Sequence, residues 1–313
     1  MIKEKTAFIF PGQGSQSIGM GKDLYDSFSM ARSVFQEVDE ALHQNLSQLM
    51  FDGDIKELTQ TQNAQPAIMA VSMALIRVLE SQGFLLKDNA SFVAGHSLGE
   101  YTALYATGAL TLSETAKILK MRGQAMAEAG RSEAGGMMAV LGLEPDLVQQ
   151  IASDSGCYVA NDNGAGQWVL SGSLVALSTA NMRAEAMGAK RVIPLPVAGA
   201  FHSPLMKPAQ EKMKEVLQGI FFQKTSVPVV ANVTAVAETE KFADLLIQQI
   251  VAPVRWRESV LYMSAQGISH FVECGPGVVL SGLVRRILPE SNQTHINNSD
   301  SLRAFLELSE KNA

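Results

Sequence analysis

The chain has only two cysteines in 313 residues, Cys157 and Cys274. Two cannot build a disulfide framework or a cysteine metal site. No apolar run approaches the ~20 residues that a membrane-spanning helix needs. The opening stretch MIKEKTAFIFPGQG carries four consecutive apolar residues, Ala7 to Phe10, too few for a signal-peptide core. Basic residues are outnumbered, with 25 Lys and Arg against 31 Asp and Glu, a formal net charge of −6. General binding to nucleic acid or anionic membranes needs basic surface, so both are excluded as expected functions. What remains is an ordinary globular composition, 47% hydrophobic and 18% charged, long enough for about two domains. A soluble cytoplasmic protein is the expectation.

Short β-branched and aromatic runs alternate with helical patterns, which predicts an α/β fold with a mostly parallel sheet. TAFIF (6–10), SFVAG (91–95), VPVVANV (227–233) and HFVEC (270–274) read as strands, with a long helix over 64–82. Three of these strands run into turn chemistry, PGQGSQ, GHSLGE and GPG, where open α/β sheets bind ligands. The rhythm breaks between 131 and 198. GGMMAVLGL, EPDLVQQIASDSG, CYVAND, QWVLSG, LVALSTANMRAEAMG and KRVIPLPV read as β-α-β-β-α-β, a ferredoxin-like unit. The predicted division is a catalytic domain over 1–130 and 199–313 with a small inserted domain over 131–198. The last dozen residues read as a polar tail.

Ser97 stands in Gly95-His96-Ser97-Leu98-Gly99, after a strand and before a helix. Gly two before and two after a serine at such a corner is the nucleophile-elbow pattern, which exposes the hydroxyl. The Leu98 N–H, first in the helix, faces any oxyanion formed there. A glycine turn closes β-strand 6–10, and its Gln13 N–H is the candidate second donor; the loop is not a phosphate-binding motif, having no Gly-Lys-Ser/Thr ending.

An activated serine needs a base, and the histidines are five: His43, His96, His202, His270 and His295. His43 and His295 read as surface residues, His270 as structural, and His96 points away from its neighbour Ser97. His202, in the loop VAGAFHSPLM, is the candidate. No acid follows it at a triad spacing, so a backbone carbonyl is an alternative means of fixing its tautomer. Arg122 interrupts a helical stripe of Ile118, Leu119, Ala125, Met126 and Ala129. A guanidinium on a core-facing stripe needs an anion. That anion is either a core acid or a substrate carboxylate, and the stripe alone does not choose.

Taken in order, FPGQGSQ, GHSLGEY, the MRG arginine, FHSPLM, PVRW and ECGPG resemble the malonyl-CoA:acyl-carrier-protein transacylase family, acyltransferases of fatty acid and polyketide synthesis. The resemblance runs from residue 6 to about 288. It implies an α/β-hydrolase-like body with a ferredoxin-like insert, no bound cofactor and no metal. It implies Ser97 as nucleophile, His202 as base, and the Gln13 and Leu98 N–H groups as oxyanion hole. Arg122 would take the free malonyl carboxylate, and Phe201 matches the malonyl-selecting form of its motif. The carbonyl that orients the histidine falls on Gln249, although the residue before the following proline, Asn in the family pattern, is Ala252 here. The reaction implied is ping-pong malonyl transfer from malonyl-CoA to acyl carrier protein; a monomer is the expectation for the chain, and the sequence does not fix its oligomeric state. Lys190-Arg191 and Arg285-Arg286 are candidate contacts for the acidic carrier. A chain of this length suits fatty acid synthesis better than a trans-acting polyketide role. The rival readings are a serine esterase or thioesterase, which shares the elbow without needing Arg122, and a non-enzymatic carrier-protein scaffold.

Overall fold

The computed structural model describes residues 5–132 and 134–311. Its strands, in chain order, are β1 (Lys5–Phe10), β2 (Phe92–Gly95), β3 (Gly135–Leu141), β4 (Tyr158–Asp162), β5 (Gln167–Ser173), β6 (Arg191–Pro194), β7 (Val229–Val230), β8 (Ala237–Glu238), β9 (Ile268–Cys274) and β10 (Asn292–Ile296). Six of them form one sheet in the order β10-β9-β1-β2-β7-β8. Every pairing in it is parallel except β7 with β8. The other four form an antiparallel sheet in the order β4-β5-β3-β6, with the helices Pro145–Ser155 and Leu174–Ala186 between its strands.

Parallel strands covered on both faces read as unbroken apolar runs, and β1 shows why. Successive side chains point to opposite faces, so Phe8 and Phe10 enter the larger core while Ala7 and Ile9 enter a second core on the other side. Val93 and Ala94 of β2 and Val229 and Val230 of β7 divide in the same way. The long Thr61–Ser81 helix is apolar around most of its circumference because it crosses the larger core. Among the described residues, no helix is long and apolar enough to cross a membrane.

The small sheet has its own core, with Val140, Trp168 and Leu170 against Ile151 and Ala180. It is tied to the large sheet by strand-like pairing: Val254 N–H donates to Ala160 at 2.8 Å and Asp162 N–H donates to Val254 at 3.0 Å. Arg257 closes this seam on Asp162 at 2.8 Å. The PVRW stretch therefore joins the two sheets.

Two expectations are corrected and one strand is new. The strand expected over 227–233 shrinks to Val229–Val230, because the chain turns at Ala231 to reach the antiparallel β8. The supposed polar tail is, as far as residue 311, the helix Ser299–Lys311; residues 312 and 313 lie outside the described chain. Its Leu302 and Phe305 are buried, one helical turn apart, beneath a surface of charged side chains. The polar edge strand β10 was not expected at all, since only Ile296 of its five residues is buried.

Phe305 meets Phe8 edge-on at 6.2 Å and Phe84 at 5.2 Å between ring centres. Phe305→Ala should therefore lower the free energy of unfolding by about 3 kcal/mol, the usual cost of emptying a buried aromatic site. Urea denaturation followed by circular dichroism checks this, and a change too small to measure would return the C-terminal segment to a tail.

Candidate active site

β9, β1, β2 and β7 are neighbours and parallel, so the loops at their carboxyl ends converge. Those loops carry Gly275, Gln13, Ser97 and Asn232. The turn at Ser97 is built by absent side chains. A Cβ on Gly95 would lie 1.9 Å from the Gly99 carbonyl carbon, and one on Gly99 would lie 2.3 Å from the Phe10 oxygen. The turn leaves Ser97 itself at φ 54° and ψ −107°, a conformation a non-glycine residue keeps only when its surroundings impose it. Here they do. Asn232 Oδ1 accepts from the Ser97 N–H at 2.8 Å, and Gln249 Nε2 donates to the Ser97 carbonyl at 3.0 Å.

Ser97 Oγ lies 2.8 Å from His202 Nε2. His202 Nδ1 is 2.9 Å from the Gln249 carbonyl oxygen. A carbonyl can only accept, so the proton resides on Nδ1 and the Nε2 lone pair faces the serine hydroxyl. Burial, reinforced by the nearby Arg122 charge, lowers the His202 pKa to about 3. Ala252 in place of asparagine leaves the Gln249 carbonyl in position.

Arg122 is 1% exposed and sits beside the same oxygen. Its Nη2 donates to Ser97 Oγ at 3.0 Å and to Gln249 Oε1 at 2.9 Å, and Nη1 donates to Gln65 Oε1 at 2.8 Å. Nε has no hydrogen-bond acceptor among the described residues, and the guanidinium stands 5.4 Å above the Tyr101 ring. Among the described residues no carboxylate forms an ion pair with it. The core-acid alternative is thus set aside. The buried acid in the neighbourhood, Glu100, bonds instead to the Asn232 N–H at 3.0 Å and to Gln249 Nε2 at 2.8 Å.

Gln13 lies in the loop after β1, and Leu98 opens the helix Leu98–Ala106. Neither N–H has an acceptor among the described residues. A Cβ on Gly12 would lie 2.8 Å from the His96 oxygen, so this loop runs directly against the serine turn. Gly275, at φ 148°, packs where a Cβ would strike Pro11 at 2.6 Å. The ECGPG stretch thus backs the Gln13 loop, and buried Glu273 anchors it by accepting from the Leu280 and Ser281 N–H groups at the start of the next helix.

His96 turns away from Ser97, with Nε2 3.0 Å from Asn163 Oδ1 in the turn after β4 and its ring 5.7 Å from Trp256. Phe201 is buried in the main core beside His202, and its carbonyl accepts from Ser171 of β5 at 2.5 Å. His43 and His295 are exposed, and His270 faces Thr294 at 2.8 Å. Sequence reasoning missed Gln65, Asn232, Glu100 and the side chain of Gln249. Glu100 stood within GHSLGEY and Asn232 at the end of a strand; the glutamines gave no signal. Among the described residues, no group of three or more His, Cys, Asp or Glu could hold a metal ion.

The arrangement offers a hydroxyl that can lose its proton to an imidazole, two free N–H groups nearby and a fixed cation. That suffices for acyl transfer through a serine ester, with an anionic group on the acyl chain. A family model for the acyl transferase domain matches residues 7–299. The malonyl CoA-acyl carrier protein transacylase of Bacillus subtilis (strain 168) is 43% identical, covering 98% of this chain and 98% of that one. The structure of an acyl-carrier-protein-S-malonyltransferase from Bartonella henselae superposes with a TM-score of 0.94 at 45% identity, over 97% of this chain and 99% of that one. A malonyl-transacylase solved with a type II polyketide-synthase acyl-carrier protein gives 0.93 at 36% identity, over 97% and 99%.

A base whose pKa is held down stays neutral until strongly acid pH. The rate at which a fluorophosphonate modifies Ser97 should stay flat as pH falls from 8 to about 5, with its acid limb below that. A limb near the ordinary histidine value of about 6.5 would mean that His202 is solvated.

Proposed function

The chain belongs to the acyl transferase domain family, and from that premise we infer that it moves the malonyl group of malonyl-CoA onto acyl carrier protein in fatty acid synthesis. It does so by a ping-pong route. Ser97 Oγ attacks the thioester carbonyl while His202 Nε2 takes its proton and the Gln249 carbonyl holds the imidazole. The developing oxyanion is met by the Gln13 and Leu98 N–H groups. The tetrahedral intermediate expels CoA as its thiol, which regains the proton from His202. The phosphopantetheine thiol of the carrier then attacks the malonyl-serine ester, again with His202 as base, and Ser97 is restored.

The observation that carries this reading is the buried Arg122 cation. The free carboxylate of malonyl lies one methylene beyond the ester carbonyl, and Arg122 Nη2 stands 3.0 Å from the ester-forming oxygen. A carboxylate there answers a charge that the protein leaves to neutral amides, by a bidentate pair in a dry site. An acetyl group brings no such charge. A simple esterase would bear the cost of burying Arg122 without return, which is why transfer is preferred over hydrolysis. Phe201, packed next to His202, fills the space that an α-methyl branch on the acyl chain needs.

The large sheet, with its nucleophile turn after β2, is read as an α/β-hydrolase-like body over 1–130 and 199–313, and the small one as a ferredoxin-like insert over 131–198. The order β4-β5-β3-β6 supports the second reading. No bound cofactor takes part, nucleic acid and membranes are not partners, and the protein works in the cytoplasm as a monomer. Lys190, Arg191, Arg285 and Arg286 are all exposed, as contacts for an acidic carrier must be.

Intact-mass measurement after incubation with malonyl-CoA should show one added malonyl group in the wild type and none in Ser97→Ala. Prompt release of malonate with no adduct would favour the esterase. Arg122→Ala should lose malonyl transfer by about a hundredfold or more while acetyl transfer falls far less, as expected when one charged contact specific to one substrate is removed. Equal loss of both would make Arg122 structural.

A further inference from the structure

Glu100 is fully buried, one turn into the helix that follows Ser97, and the transfer steps above make no use of it. Its two oxygens are treated unequally. Oε2 accepts from the Asn232 N–H at 3.0 Å and from Gln249 Nε2 at 2.8 Å, whereas Oε1 has no partner among the described residues. The two donors are the residues that hold the strained serine. Asn232 takes the Ser97 N–H at 2.8 Å and also donates to the Gly95 carbonyl at 2.6 Å. Gln249 Nε2 reaches the Ser97 carbonyl, and its Oε1 receives Arg122 Nη2. One oxygen therefore sits at the root of every side-chain contact to the Ser97 backbone, and of one of the contacts that aim Arg122.

We propose that Glu100 is a positioning residue for malonyl transfer, whose Oε2 acts as a hydrogen-bond acceptor that locks Asn232 and Gln249 onto the Ser97 turn. What matters is the acceptor and not the charge. Burial pushes the Glu100 carboxyl up to about 7, against the pull of its hydrogen bonds and of Arg122. A proton taken up there goes to the unpartnered Oε1, and Oε2 continues to accept from both donors. Without the acceptor, two buried N–H groups are left unmatched, the main-chain N–H of Asn232 and the side-chain amide of Gln249, and relieving them shifts the Asn232 backbone and the Gln249 side chain. Both shifts loosen a backbone conformation that Ser97 does not hold by itself.

The inference rests on Ser97 being the nucleophile, and three variants separate it from that reading. Glu100→Gln keeps an acceptor oxygen and loses the charge. Glu100→Asp keeps the charge and withdraws the oxygen by one methylene, and Glu100→Ala removes both. Acylation of Ser97 by malonyl-CoA and by acetyl-CoA is followed by rapid quench and intact mass, per folded enzyme as counted by circular dichroism. Glu100→Asp and Glu100→Ala should slow acylation by both donors about tenfold or more, in the maximal rate rather than in KM, because the geometry of attack is disturbed. Glu100→Gln should recover the rate to within about threefold and keep the wild-type pH profile. If Glu100→Ala does not fold, the contrast between the other two variants decides alone. Full activity in Glu100→Asp, or a loss in Glu100→Gln as deep as in Glu100→Asp, overturns the proposal. An adduct that persists in Ser97→Ala would instead overturn the reading beneath it.

Discussion

A guanidinium buried against a serine oxygen, bonded to glutamine amides and ion-paired with no carboxylate among the described residues, ties this site together. A charge taken out of water is expensive unless it is paired. Arg122 is held by Gln65 and Gln249, each offering a neutral carbonyl oxygen, and by the hydroxyl of Ser97. These neutral acceptors take bonds from Nη1 and Nη2 and bring no opposite charge into contact with the guanidinium. In the proposed reaction an anion that arrives with the acyl group meets that charge, and the position of Arg122 is set by the same residue, Gln249, whose backbone carbonyl holds His202. Ser97, His202 and Arg122 share one small network, so their geometry cannot drift independently.

The architecture delivers that network to one edge of the sheet. The parallel strands β9, β1, β2 and β7 end side by side, and each contributes one loop. Close approaches made possible by Gly12, Gly95, Gly99 and Gly275 bring those loops into contact with one another. The small sheet is not a bystander, since Asn163, in the turn after β4, engages His96 next to Ser97, and Ser171 of β5 engages Phe201 next to His202.

Much of this was legible in the residues. The alternating strand and helix patterns, the glycine-flanked Ser97, the misplaced charge of Arg122 and the elimination of four histidines in favour of His202 all rest on local chemistry that spacing exposes. Less legible was whatever depends on a partner distant in the chain. Gln65, Asn232 and the Gln249 side chain are neutral amides with no local pattern, and they meet Ser97 and Arg122 only because three separate elements converge. The C-terminal helix had a signal in Leu302, Phe305 and Leu306 at helical spacing, masked by the polar and charged residues on either side of them. The polar edge strand β10 had almost none, because an edge strand with one buried residue carries no alternation to read.

The central claim is that Arg122 waits for the carboxylate of the acyl group held on Ser97. A crystal structure of the protein trapped after reaction with malonyl-CoA tests it most directly. The expected result is an ester on Ser97 Oγ whose free carboxylate lies in a bidentate pair with Arg122. An ester whose carboxylate points to solvent, with Arg122 still bonded only to Gln65 and Gln249, would contradict it.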